Sequence, residues 1–172
     1  ANTKFDETVS QRAREFAAKS GRPSDAKGIS LTPLDRSFGE DGSVTYSSVE
    51  VEIDRKGRKA VITLKGPEED APADMDAFVA QGDQAYMLKL CRELEDAILH
   101  LRLNEMEIGL WVFRTQGDPE KLAAHEALLA DNADHWLANE LRHYWKRTLK
   151  RIDVTSRSLA AFVEHGSCFV GV

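Results

Sequence analysis

The chain has 172 residues, of which 42% are hydrophobic and 30% charged, a balance that suits a folded domain with one sizeable core. Its formal charge of −6 argues against a general nucleic-acid binder, since counterion release on a phosphate backbone needs a surplus of Lys and Arg on one face. Two cysteines exclude the dense disulfide framework of a small secreted domain, and no apolar run approaches the ~20 residues needed to span a bilayer.

These bounds predict a soluble, cytoplasmic protein with Cys91 and Cys168 as free thiols. Its partners are expected to be small molecules or proteins, not nucleic acid or membrane. Ala1-Asn2-Thr3-Lys4 leads into a charged amphipathic pattern in which Phe5, Val9, Ala13, Phe16 and Ala17 recur at steps of three and four. The spacing predicts a helix of about four turns, ended by Gly21 and Pro23. From Arg22 to Gly42 no period is visible and Pro23, Gly28, Pro33, Gly39 and Gly42 accumulate, which predicts a linker or irregular crossing segment. Three parts are expected: the terminal helix of a preceding part over 1–21, a linker over 22–46 and the first part of the main domain over 47–172.

In the main domain Val49, Val51 and Ile53 alternate with polar residues, as do Ala60, Ile62 and Leu64 with Val61, Thr63 and Lys65. Two strands joined at Arg55-Lys56-Gly57 are expected, then a solvated acidic loop at Pro67-Glu68-Glu69-Asp70-Ala71-Pro72. Tyr86, Met87, Leu90, Cys91, Leu94, Ala97, Ile98 and Leu101 form a helical core stripe. Ile108-Gly109-Leu110-Trp111-Val112-Phe113 has the continuous apolar character of a strand covered on both faces in a parallel sheet.

Asp118-Pro119-Glu120 marks a helix start, with a capping carboxylate and proline at the first helical position; that helix should run to about Ala130. A second helix follows with Leu137, Leu141, Tyr144, Trp145, Leu149 and Ile152 facing inward. Leu159-Ala160-Ala161-Phe162-Val163 then reads as another buried strand. The order is β-β-α-β-α-α-β. A buried parallel strand needs a covering helix, so the stop at Gly171-Val172 predicts a piece of a larger α/β protein, completed by remaining parts of the same polypeptide.

Several groups could carry chemistry. His125-Glu126 begins like a zinc-protease motif, but position 129 is Leu, so the second imidazole is missing and no metal is expected. His135 and His143 lack a third ligand and are expected on a polar face or interface. Arg142, Lys146, Arg147, Lys150 and Arg151 cluster on one helical face, either as a solvated surface paired with Glu140 and neighbours or as a phosphate contact. Cys168 has His165 close by in sequence, yet no orienting third residue can be named, so a buried structural thiol is expected. Two glycine-containing turns, Phe113-Arg114-Thr115-Gln116-Gly117-Asp118 and His165-Gly166-Ser167-Cys168-Phe169-Val170-Gly171, each leave a strand. They either simply permit tight turns or present backbone N–H groups that could converge as an oxyanion hole.

Trp111-Val112-Phe113-Arg114-Thr115-Gln116-Gly117-Asp118 and Ala160-Ala161-Phe162-Val163-Glu164-His165-Gly166, following the β-β-α order, resemble the paired turns of the crotonase (enoyl-CoA hydratase/isomerase) superfamily. Leu94-Glu95-Asp96-Ala97-Ile98-Leu99 and Arg151-Ile152-Asp153-Val154-Thr155-Ser156-Arg157-Ser158-Leu159 extend the resemblance to a ring-cleaving branch that acts on oxidised benzoyl-CoA. It implies an α/β, crotonase-like fold of ββα units with a mostly parallel sheet and packed helices, incomplete in this chain. It also implies an acyl-CoA substrate in the full protein, no separate cofactor, a homodimer, and release of a one-carbon fragment as formate.

Carried over by motif, the first oxyanion-type position falls at Gly117 or Asp118 and the second at Gly171. No catalytic carboxylate is implied: Glu120, Glu126 and Glu164 match no family motif and are expected to be helix-cap or surface charges. The resemblance therefore gives this segment mainly a scaffold and dimer-support role. A non-catalytic interaction module and a divergent enoyl-CoA hydratase/isomerase stand as alternatives.

Overall fold

The computed structural model describes residues 3–21 and 25–169. Its elements run α1 (Thr3–Ala17), β1 (Ser37–Phe38), β2 (Val44–Thr45), β3 (Val49–Asp54), β4 (Lys59–Lys65), α2 (Met75–Ala80), α3 (Tyr86–Asn104), β5 (Leu110–Gln116), α4 (Pro119–Asp131), α5 (Trp136–Asp153) and β6 (Ser158–Ala161). Among the described residues the strands form one six-stranded sheet in chain order. The first three pairings are antiparallel, and β4–β5 and β5–β6 are parallel.

The β3–β4 hairpin turns where the glycine predicts: the Asp54 carboxylate accepts the Gly57 N–H at 2.8 Å, and Arg58 takes a positive φ of 52°. Ile62 and Trp111 on the sheet pack against Leu94, Ile98 and Leu101 on α3 in one continuous core. Each fully buried aliphatic side chain there contributes on the order of 1.5–3 kcal/mol. A second apolar cluster joins α2 and α3 to α5 through Phe78, Met87, Cys91, Leu137 and Leu141. The indole N–H of Trp145 donates to the Met87 carbonyl at 3.1 Å, fixing the crossing of α5 over α3.

Several expectations are corrected. The stretch read as an irregular linker carries β1 and β2, and Val44 and Tyr46 within it are buried. The Asp83 carboxylate holds its earlier part, accepting the Thr32 N–H and hydroxyl, each at 2.6 Å, and Arg92 at 3.1 Å. β6 pairs with β5 as expected but is exposed along its whole length; among the described residues β5 is its sole strand partner, and its Leu159 faces an open cleft. Phe162 and Val163, expected within that buried strand, lie beyond it and are 58% and 73% exposed. β5 buries Trp111 and Thr115 but leaves Val112 and Arg114 half-buried, so it is not covered on both faces. Leu149 on α5 is exposed, and α1 projects with Phe5, Val9 and Phe16 exposed. Pro23, expected to help end α1, lies outside the described residues; Gly21 follows that helix closely.

Asp83 offers a test of the clamp on residue 32. Hydrogen bonds from Thr32, then the nearby Arg92 charge, lower its carboxyl to about 2. Against about 3.9 in an unfolded chain, the stabilisation is complete above that value and is lost as pH falls through 2. Asp83→Asn is expected to lower the thermal midpoint at neutral pH, with its difference from wild type narrowing steadily as pH drops between those values.

Candidate functional site

Three chain segments meet at the end of the parallel strands. Gly66, just past β4, donates its N–H to the Gln116 carbonyl at 2.7 Å. Gly117 follows with φ of +148° and donates its own N–H to the Gly166 carbonyl at 3.3 Å. Gly166, also at positive φ, turns the chain after β6, and the Cys168 N–H donates to the Thr115 hydroxyl at 2.9 Å. The turn closes on itself through Ser167, whose N–H donates to the Glu164 carbonyl and whose hydroxyl accepts the Glu164 N–H, both at 3.0 Å.

The two turns singled out in the sequence are therefore in contact. A Cβ on Gly117 would stand 2.9 Å from the Gly66 Cα and 3.4 Å from the Cys168 sulfur, so close backbone approach requires glycine there. Gly66 was the residue sequence reasoning missed; its only signal was a Gly-Pro pair directly after a strand. The Gly117 N–H, one expected oxyanion-type position, is engaged by Gly166. The other glycine position, Gly171, lies outside the described residues.

Asp118 caps α4: its carboxylate accepts the Glu120 N–H at 2.8 Å and the Lys121 N–H at 3.4 Å, with Pro119 opening the helix. Asp118→Ala is expected to cost about 1 kcal/mol, measured as a lowered urea midpoint, because two first-turn N–H groups lose that acceptor.

Beside the turns a cleft of about 1370 Å³ runs between the sheet and the α4–α5 pair. Its walls are largely apolar, with Leu64, Phe113 and Leu159 on the sheet side and Leu122, Leu129 and Trp145 on the helices. Tyr86, Thr115, Glu126 and Cys168 are polar groups within it, and Arg142, Lys146 and Lys150 also line it. Glu126 corrects the surface-charge expectation: it is half-buried, and burial raises its carboxyl above the usual range. Its position is legible afterwards as part of a helical stripe with Leu122 and Leu129. Glu120 is exposed, and Glu164 pairs with Arg114 at the surface.

The basic patch on α5 is mostly a paired surface. Arg147 and Arg151 reach Glu95 on α3, Lys150 pairs with Asp153 at 2.5 Å, and Arg142 donates to Asn139 at 2.9 Å. Glu95 and Asp153 take the place of Glu140, the partner expected from helical spacing. The exposed Lys150–Asp153 pair contributes little by itself, whereas Glu95 is half-buried between α3 and α5.

Both cysteines are free and buried. Cys91 lies 3.6 Å from the Thr148 hydroxyl, and burial pushes its thiol up to about 12, which makes it an inert core residue. His135 has a use the sequence did not reveal, its Nδ1 accepting the Leu137 N–H at 3.3 Å at the start of α5. Among the described residues no group of three His, Cys, Asp or Glu side chains could hold a metal, and no helix is long and apolar enough to cross a membrane.

The architecture and the joined turns define a mixed α/β protein whose six-stranded sheet presents an apolar cleft beside paired glycine turns. No protein-family model matches the chain. Over 167 residues it is 41% identical to the benzoyl-CoA-dihydrodiol lyase of Aromatoleum evansii, a match covering 97% of the chain and 30% of that protein. The chain is thus a relative of benzoyl-CoA-dihydrodiol lyase and spans less than a third of the length of the curated protein it matches.

Proposed function

We propose that the chain forms part of a benzoyl-CoA-dihydrodiol lyase with a crotonase-like fold, which opens the oxidised ring of a benzoyl-CoA thioester and releases formate. The observation that carries this reading is the 41% identity maintained across nearly the entire chain. This segment serves mainly as scaffold and dimer support in a cytoplasmic homodimer, and the remaining parts of the polypeptide supply the catalytic groups. Two features support a scaffold role: the Gly117 N–H is already engaged by Gly166, and an apolar cleft of about 1370 Å³ stands open to solvent. A thioester enolate needs donors that are fixed, uncommitted and desolvated.

The test is to express the protein at the full length of its relative and measure formate released from ring-oxidised benzoyl-CoA. Formate in one-to-one ratio with consumed thioester is the expected result, and its absence overturns the lyase reading. Calorimetry of the 172-residue chain with benzoyl-CoA is expected to show no binding. Tight binding by the chain alone would overturn the scaffold assignment while leaving the lyase reading intact.

A further inference from the structure

His125 is 3% exposed on α4, beneath the acidic loop that joins β4 to α2. Its Nε2 lies 3.3 Å from the Glu69 carbonyl oxygen, a contact that requires Nε2 to carry the proton and donate it. Its ring meets that of Tyr86 nearly edge-on, with centroids 5.3 Å apart. Nδ1 is buried and has no hydrogen-bond partner among the described residues. A second proton would have to sit on this Nδ1, where nothing accepts it.

One helical turn earlier, Lys121 reaches the same loop. Its ammonium donates to the Glu68 carbonyl at 2.5 Å and pairs with the Asp70 carboxylate at 3.2 Å. The loop is thus tied to α4 at two adjacent points, one through the Lys121 ammonium and one through the His125 imidazole.

We propose that His125 is a proton-sensitive fastener: neutral, it holds residues 67–72 against α4, and in mild acid the second proton, which has no acceptor at the buried Nδ1, favours a state in which the loop lifts and admits water. The groups facing it set the balance. The loop presents the Glu69 carbonyl and the Asp70 carboxylate, and α3 presents Tyr86, whose hydroxyl donates to the Lys65 carbonyl at 2.9 Å. On α4 itself Lys121 and Glu126 flank it. Burial is the largest influence and holds the imidazole below its ordinary value, against the Glu69 carbonyl and then Asp70, both of which favour an imidazolium. The Asp70 side chain is 90% exposed and already paired with Lys121, so solvent screens its attraction.

The histidine is therefore neutral in the folded chain at a pH where it is charged in the unfolded one. The fastening is fully present above about 6.5, the unfolded value, and weakens as pH falls below it. Because Gly66 and Tyr86 both line the cleft, freeing the adjoining loop loosens that end of it.

Cleavage of the chain after Glu68 and Glu69 by a glutamyl endopeptidase reads this release. Rates at about pH 7.5 and about pH 5, each divided by the rate on a free peptide of residues 64–74, are expected to rise at least about fivefold in acid for the wild type. In His125→Gln, whose amide can still donate to Glu69 but gains no proton, the ratio is expected to stay flat. A flat wild-type ratio, or an equal rise in the variant, overturns the proposal. Should the variant not fold, a wild-type NMR titration decides: Glu69 and Asp70 amides that shift together with the His125 ring support the fastener, and a ring that titrates without them overturns it.

Discussion

Gly117→Ala is expected to destabilise the chain by about 3 kcal/mol, seen as a large drop in the urea midpoint, whereas Gly166→Ala should cost about 1 kcal/mol. The difference comes from what each new methyl meets. Both glycines have positive φ, +148° at Gly117 and +86° at Gly166, so both substitutions strain the backbone. At Gly166 nothing lies within 4 Å of the added carbon, and strain is the entire penalty. At Gly117 the methyl meets the Gly66 Cα at 2.9 Å and its nitrogen at 3.0 Å, and these are backbone atoms that no rotamer change can move aside. The contact also carries the Gly66 N–H bond to the Gln116 carbonyl, so the ends of β4 and β5 must separate for alanine to fit. Equal losses at the two glycines would show that this close approach contributes nothing.

The periodic parts of this fold were legible because local sequence alone determines them. The stripe from Tyr86 to Leu101 gave α3, the alternation around Val51 and Ile62 gave the β3–β4 hairpin, and Asp118-Pro119 gave the start of α4. What escaped depends on partners distant in the chain. β1 and β2 are two residues each, too short to show a period, and exist by pairing with one another and with β3. The six residues of α2 follow the acidic loop so closely that their own cap, Asp74 accepting the Ala77 N–H at 2.8 Å, looks like one more loop carboxylate. β6 showed the apolar composition of a buried strand, but burial is decided by what packs on it.

The candidate site divides in the same way. The two glycine turns could be picked out individually, and their mutual contact could not, because the Gly117 N–H meets the Gly166 carbonyl only once β5 and β6 are paired, with Gly66 and Cys168 packed beside it. Glu126 looked like a surface acid beside a histidine until the orientation of α4 placed it in the cleft. His125, first weighed as a metal ligand, proves to bridge a helix and a loop whose register no motif records.

Trp111→Ala is expected to be the costliest of these changes, about 3–5 kcal/mol, while Trp111→Phe should cost about 1 kcal/mol or less. Trp111 is fully buried on β5, packed within the cluster that includes Leu94, Ile98 and Ile62. Alanine there leaves a cavity in a close-packed interior, and the loss combines transfer of the ring with the contacts its neighbours no longer make. Phenylalanine gives up less volume, and no hydrogen bond goes with it, because the Trp111 indole N–H is already buried without an acceptor among the described residues. Removing an unpartnered donor offsets part of the lost packing. Urea unfolding followed by far-ultraviolet circular dichroism measures both variants without relying on the fluorescence of Trp136 and Trp145. The effect should also reach the site, since β5 carries Thr115, which accepts the Cys168 N–H at 2.9 Å. Cys168 is 2% exposed, so its reaction with a thiol reagent reports opening of that turn. Trp111→Ala is expected to speed this labelling well before global unfolding, and an unchanged rate would show that the turn is held independently of the core behind it.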